Sequence, residues 1–326
     1  MSHALSHIRG IEAYLDRLTG RSQERLPEHQ WRMLLDTLGL GIEQTMQHAG
    51  RTRPDFATFA EWVISTAGHP DPERVARYHA ALDGLPPPPT TAARLAEIDA
   101  MPPVLDADDL SHWNELGYVI LRAAIDPALA ADTAALVWEI VGATPDNPAS
   151  WYDAGARNGI MVQHFQSPQQ DAIRRSPRTH KAFAQLWGRS DLWMNTDRLG
   201  FNPPVRHDWK FAGQPLHWDD SLVRPIPFGT QAILYLTDTA AEQGALQLIP
   251  GFHHKLDAWL DSLGDSDPRL VDLTAQAVPI AANAGDLIIW RSDLPHGATA
   301  NHGRVPRLVQ YLAMYPPTPI APRDWL

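Results

Sequence analysis

The sequence predicts an α+β protein: a helical first part, followed by short strands that close into a sandwich or small barrel. Three observations predict it. Apolar residues recur at helical spacing through residues 1–85. Prolines 86 to 89 then interrupt the chain with a stiff, extended stretch. In the last third, five apolar runs of strand length are bounded by Gly, Pro, Asn or Asp.

The elements follow in order. Ile8, Ile11, Leu15 and Leu18 share one helical face, as do Trp31, Leu34, Leu35 and Leu38, with Pro27 where a first turn tolerates proline. Asp71-Pro72-Glu73 reads as an N-cap, a proline at the first helical position and a first-turn acid, ahead of Val75, Tyr78 and Leu82. Residues 86–103 read as a Pro-rich linker with a short helical piece around Ala92 to Met101. LDADDLSHWNELGYVILRAAI predicts a capped helix, a glycine turn and a strand at Tyr118 to Leu121. Helices are predicted over Pro127 to Val141 and Gln169 to Trp187. Strands are predicted over Leu192 to Phe201, Gln231 to Leu236, Ala245 to Ile249, Asp286 to Trp290 and Leu308 to Tyr315. There is no internal repeat.

Composition removes several function classes. The chain has 326 residues, a formal net charge of −11 and no cysteine. An acidic chain without basic runs argues against a nucleic-acid groove. The lack of cysteine excludes disulfides, cysteine nucleophiles and thiolate zinc sites. No window reaches the about 18 apolar residues of a membrane span, and MSHALSHIRG lacks the pattern of a signal peptide. The expectation is a cytoplasmic protein that binds neither nucleic acid nor membrane.

The stretch QPLHWDDSLV carries the chemistry. His217 and Asp219 stand two apart, so on a strand both project to one face. Chance is a competitor: 15 His and 38 acidic residues in 326 positions yield about two His-x-acid triplets at random, and His69-Pro70-Asp71 is a second one. There Asp71 is better explained as the helix cap. Around His217 the surroundings add support. His296, just beyond the apolar strand of DLIIWRSDLPHG, could face the pair. Two imidazoles and one carboxylate on one side of a metal leave three positions open, which suits iron(II) rather than a closed zinc site. Arg307 shares a strand face with Val309 and Tyr311. An inward guanidinium needs an anion, and a dicarboxylate chelating the metal at its other end fits. Arg304 competes for that role, and a surface arginine at a strand end is the plain alternative.

The order H-W-D, QAILYLTDTAAEQGALQLIPGFHH and AGDLIIWRSDLPHGATANHGRVPR resembles the phytanoyl-CoA dioxygenase family of iron(II)- and 2-oxoglutarate-dependent oxygenases. SHWNELGYVILRAAI and RSPRTHKAFAQLWGRSDLWMNTDRLGFNPP resemble its N-terminal portion. The resemblance covers roughly Leu105 to Pro317 and leaves residues 1 to about 100 outside. It implies a double-stranded β-helix, or jelly roll, over 104–320, flanked by helices; the helical region at 1–85, read from its spacing, is additional to it. It implies iron ligands His217, Asp219 and His296, and a 2-oxoglutarate anchor at Arg307. Gly244 and Pro250-Gly251 match the turns framing one hairpin. The implied reaction is hydroxylation of a small-molecule metabolite with dioxygen, releasing succinate and CO2. Desaturation, cyclisation and halogenation are its relatives; a small residue in place of Asp219 would favour halogenation. A jelly-roll binding protein without catalysis is the alternative from another class.

One departure concerns the cosubstrate. The family often has a hydroxyl residue two after the distal histidine, and here that position is Ala298, with Thr299 next. Thr299 and Tyr235 are therefore the candidate hydroxyls for 2-oxoglutarate. His302 competes with His296, and His253-His254 are expected to open a helix as surface residues. Trp151, Trp209 and Trp218 are candidates to line a mouth. Among Asn195, Asp197 and Arg198, at least one is expected to be buried in an internal ion pair or to contact substrate. The helical region could cap the mouth, form a homodimer interface or dock a carrier-bound substrate.

Overall fold

Side-chain caps start six of the α-helices among the described residues. The structure, a computed structural model, describes residues 4–326 except 154, 156, 212, 215 and 322. Five helices come first: α1 (Ile11–Leu18), α2 (Glu28–Leu38), α3 (Ile42–Thr52), α4 (Phe56–Ala67) and α5 (Pro72–Leu82). The Asp55 carboxylate accepts from the Thr58 amide to start α4, and Asp71 accepts from the Glu73 amide to start α5. The second His-x-acid triplet is thus a cap. Leu15, Leu34, Leu38, Phe59, Val63 and Tyr78 meet in a helical core that also takes in Trp193 and Tyr315 from far along the chain.

The extended proline stretch ends at Pro88, and α6 (Pro89–Ala100) fills most of the expected linker. Then come α7 (Ala107–Leu116), β1 (Tyr118–Leu121) and α8 (Pro127–Val141), the last with the boundaries read from the sequence. Two short strands, β2 (Arg157–Asn158) and β3 (Met161–Val162), precede α9 (Pro168–Arg174) and α10 (Pro177–Trp187). The single helix expected over 169–187 is therefore two. Pro177 has no amide hydrogen to continue the first, and Ser176 caps the second by accepting from the Thr179 amide.

The expected strand over 192–201 is also divided, into β4 (Trp193–Met194) and β5 (Leu199–Asn202). The polar residues between them are drawn away from a ladder: Arg198 pairs with Glu43 of α3 and with Asp197. The remaining elements are β6 (Thr230–Tyr235), β7 (Leu246–Leu248), α11 (Leu256–Leu263), β8 (Val278–Ile280), β9 (Leu287–Arg291), β10 (His296–Ala298), β11 (Arg307–Leu312) and β12 (Met314–Tyr315). His253 and His254 lie in a 3-10 turn before α11 rather than in the helix.

A seven-stranded sheet runs β1-β9-β6-β11-β5-β3-β2, and a three-stranded sheet runs β10-β7-β8. Every ladder in them is antiparallel. Alternation sorts the large sheet's side chains into two cores. Ala232, Leu234, Leu287, Ile289, Leu308 and Leu312 pack with α8 and α10. Ile233, Tyr235, Ile288, Trp290 and Val309 face the small sheet through Leu246, Leu248 and Ile280. Both faces are buried and apolar, so what a one-residue slip forfeits is the inner face's polar pairing. It would turn Gln231, Tyr235 and Arg307 into the helix-packed core. No helix among the described residues is long and apolar enough to cross a membrane.

Candidate metal centre

Strand pairing brings the metal candidates together. His217 and His296 exchange both backbone hydrogen bonds, at 2.9 and 3.0 Å, which makes them a directly opposed pair beside β10. Two residues on, Asp219 spans the two imidazoles. Its Oδ1 is 3.3 Å from His217 Nε2, and its Oδ2 is 3.3 Å from His296 Nε2. The three ligand atoms all lie within 4.8 Å of one another. Donors about 2.1 Å from one ion at right angles stand about 3.0 Å apart, so this set fits one side of a six-coordinate ion.

Neighbours fix how these groups point. His296 Nδ1 lies 3.1 Å from the Leu294 carbonyl. A carbonyl only accepts, so Nδ1 donates there, and Nε2 is the nitrogen turned toward Asp219, free to take a metal once it gives up the proton it shares with the carboxylate. The Gln231 amide donates to Asp219 Oδ2, while its own oxygen accepts from Trp290 Nε1 at 3.1 Å. The Trp290 ring in turn packs 5.1 Å from His296. Burial pushes the Asp219 carboxyl up. Hydrogen bonds and charge from His217 and His296 outweigh it and hold the carboxyl well below the usual carboxylate range. The site is closed on one side and open on the other: the His296 side chain is 6% exposed, that of Asp219 53%.

Arg307 is fully buried on the inner face of β11, two residues from Val309 of the inter-sheet core. Among the described residues its Nε has no partner, and its Nη2 reaches only the Tyr311 hydroxyl, at 3.4 Å. Among the described residues no carboxylate pairs with it. A guanidinium so placed is costly unless an anion joins it. Arg304, its rival from the sequence, is exposed.

The two candidate cosubstrate hydroxyls are engaged elsewhere. Tyr235 donates to the Ile280 carbonyl and accepts from the Leu246 amide, both at 2.9 Å, and burial pushes its pKa up to about 12 against the lowering effect of Arg307. Thr299 donates to the Ala245 carbonyl at 3.2 Å. Gly244 takes a left-handed φ of 71°, where an added Cβ would meet Asn202 Nδ2 at 2.3 Å.

The other candidates stand apart. His302 is exposed and lies outside the ligand group, and the His253 and His254 rings both reach the Asn114 carbonyl. Trp151 and Trp218 do not line a mouth, because both are buried with their indole N–H groups bonded to the Thr144 and Asp293 carbonyls. The Trp209 ring lies tilted by 60° against Tyr152, 5.8 Å between centres. Sequence reasoning passed over Gln231 and Trp290 as supports of the site. Gln231 was on the right face, with Ile233 and Tyr235, but its partners become visible only when β6, β9 and the His217 segment are brought together.

The sequence model of the family described as phytanoyl-CoA dioxygenase matches residues 113–309, more than half of the chain. A putative phytanoyl-CoA dioxygenase of Dictyostelium discoideum is 20% identical over 256 residues, covering 61% of this chain and 72% of that protein. Dioxygenase af480 of Aspergillus fumigatus is 28% identical over 203 residues, covering 60% of this chain and 61% of that protein. Among solved structures, the non-heme alpha ketoglutarate dependent carbocyclase SnoK from nogalamycin biosynthesis aligns with a TM-score of 0.46 and 16% identity, over 68% of this chain and 88% of that one. EvdO2 from Micromonospora carbonacea aligns with a TM-score of 0.46 and 20% identity, over 67% and 94%.

Proposed function

The chain belongs to the phytanoyl-CoA dioxygenase family, and from that premise we propose that it hydroxylates a small-molecule metabolite. It is an oxidoreductase, a 2-oxoglutarate-dependent dioxygenase whose cofactors are iron and 2-oxoglutarate. In the proposed assignment His217, Asp219 and His296 hold iron(II), and Arg307 grips the far carboxylate of 2-oxoglutarate. The two facing sheets are the double-stranded β-helix over 104–320, and residues 1–85 form a helical region packed beside it.

The observation that carries this reading is the pairing of two incomplete polar groups on one inner face. Three metal donors converge at one end, and a buried guanidinium without a carboxylate stands further along. A metal-chelating diacid completes both. When bound, iron supplies the oxidation, in which 2-oxoglutarate and dioxygen become succinate and CO2 as one oxygen atom enters a substrate C–H bond. The chain's own part is positioning. Gln231 keeps Asp219 turned toward the histidines, Leu294 fixes the His296 tautomer, and Ile233, Ile288 and Val309 exclude water between the sheets. With the Asp219 carboxylate in the ligand set, no room is left for a halide, which favours hydroxylation.

The test is succinate release from 2-oxoglutarate across metabolite fractions, with Asp219→Ala as the blank. Substrate-stimulated release matched by an oxygenated product, and absent from the variant, supports the reading. Equal release from wild type and Asp219→Ala contradicts it.

A further inference from the structure

We infer that Tyr311 is the second donor to the far carboxylate of 2-oxoglutarate, standing in for the hydroxyl missing at Ala298, and that Gly200 is the gap that lets its ring lie there. The inference rests on the proposed role of Arg307. Alternation along β11 puts Arg307, Val309 and Tyr311 on the inner face. The 3.4 Å contact from Arg307 Nη2 to Tyr311 Oη has one polarity, because a guanidinium only donates. The phenol oxygen accepts there, so its own hydrogen points elsewhere. Among the described residues no protein group accepts it, the phenol being only partly buried, while the buried Arg307 Nε is without an acceptor. A carboxylate has two oxygens to meet two such donors.

The other hydroxyls are excluded by their bonds. Thr299 is held by the Ala245 carbonyl, and Tyr235 by Ile280 and Leu246. Position along the strand also agrees. Tyr311 lies opposite Ile233, two residues from the Gln231 that touches Asp219. That is about 7 Å along the strand, a span a five-carbon diacid bridges. Gly200 lies across from Val309 on β5. A Cβ added there would stand 2.7 Å from Val309 Cγ2, 3.1 Å from Tyr311 Cε2 and 3.3 Å from Tyr311 Oη. The tyrosine ring therefore lies across the bare glycine, and any side chain there displaces it from Arg307.

The test is anaerobic titration of the iron(II)-loaded protein with 2-oxoglutarate, read by the weak violet charge-transfer band. Tyr311→Phe should raise the Kd about tenfold, the worth of one hydrogen bond to a charged group, with the band intact at saturation. Gly200→Ala should shift the Kd the same way, and the two variants together should add little to either alone. The keto acid 2-oxopentanoate, which lacks the far carboxylate, should bind wild type and Tyr311→Phe equally. An unchanged Kd for 2-oxoglutarate in Tyr311→Phe, or an equal loss with both keto acids, overturns the inference while leaving the metal site standing. Iron-loaded wild type that gives no band overturns the underlying reading, and the inference with it.

Discussion

Gln231 shows how one neutral side chain can order a candidate metal site. Its amide nitrogen donates to Asp219 and its oxygen accepts from Trp290, so the carboxylate is tied through a chain of hydrogen bonds to the ring that packs on His296. Outer partners of this kind typically matter about 10–100-fold in metal affinity. Gln231→Leu keeps the size but removes both bonds. Iron(II) affinity, measured by competition with a chromophoric chelator, should fall by about that factor, and an unchanged affinity would show the amide to be incidental. At this scale much was legible in the sequence. Spacing set His217 and Asp219 on one face, whereas it left Arg307 and Arg304 in competition and the family resemblance chose between them. The amide's role was not legible, because it depends on which residues two other strands place beside it.

Elements were read best where a local signal ended them. Asp71-Pro72 and Asp126-Pro127 start their helices as the capping pattern requires, whereas the proline at 177 was passed over and two helices were taken for one. The small sheet was least visible: β8 contains Pro279, and β8 and β10 are three residues each, too short for alternation to register. Tyr235 joins these elements, since its hydroxyl bridges β8 and the first residue of β7 from the middle of the large sheet. Tyr235→Phe leaves a buried amide and a buried carbonyl without partners, which costs about 1–3 kcal/mol. The urea midpoint should drop accordingly, while 2-oxoglutarate affinity changes little. A large loss of 2-oxoglutarate affinity at unchanged stability would instead make Tyr235 a cosubstrate ligand.

Across the whole molecule, long-range packing governs what spacing could not show. The helical region shares its core with Trp193 and Tyr315, and the Arg77 guanidinium lies 4.0 Å over the Trp193 ring while pairing with Asp191. Nothing in residues 1–85 alone announces these contacts. Histidines in the resulting interiors shape the acid response. Burial lowers the pKa of His29, His48, His79, His164, His180 and His253 below the ordinary 6.5. The unfolded chain therefore binds more protons in that range than the folded one. The histidine contribution to stability is full above about pH 6.5 and is lost as pH falls from there toward the folded-state values. Urea midpoints should decline from pH 7.5 to 5.5, and a midpoint that rises over that interval would contradict the assignment.

Three side chains from two distant segments must share one ion for the proposed chemistry, and anaerobic equilibrium dialysis with iron(II) tests that most directly. Wild type should bind one iron per chain, His217→Ala, Asp219→Ala and His296→Ala should each lose it, and His302→Ala and His254→Ala should retain it. Full iron binding by His296→Ala, or its loss in His302→Ala, would contradict the account.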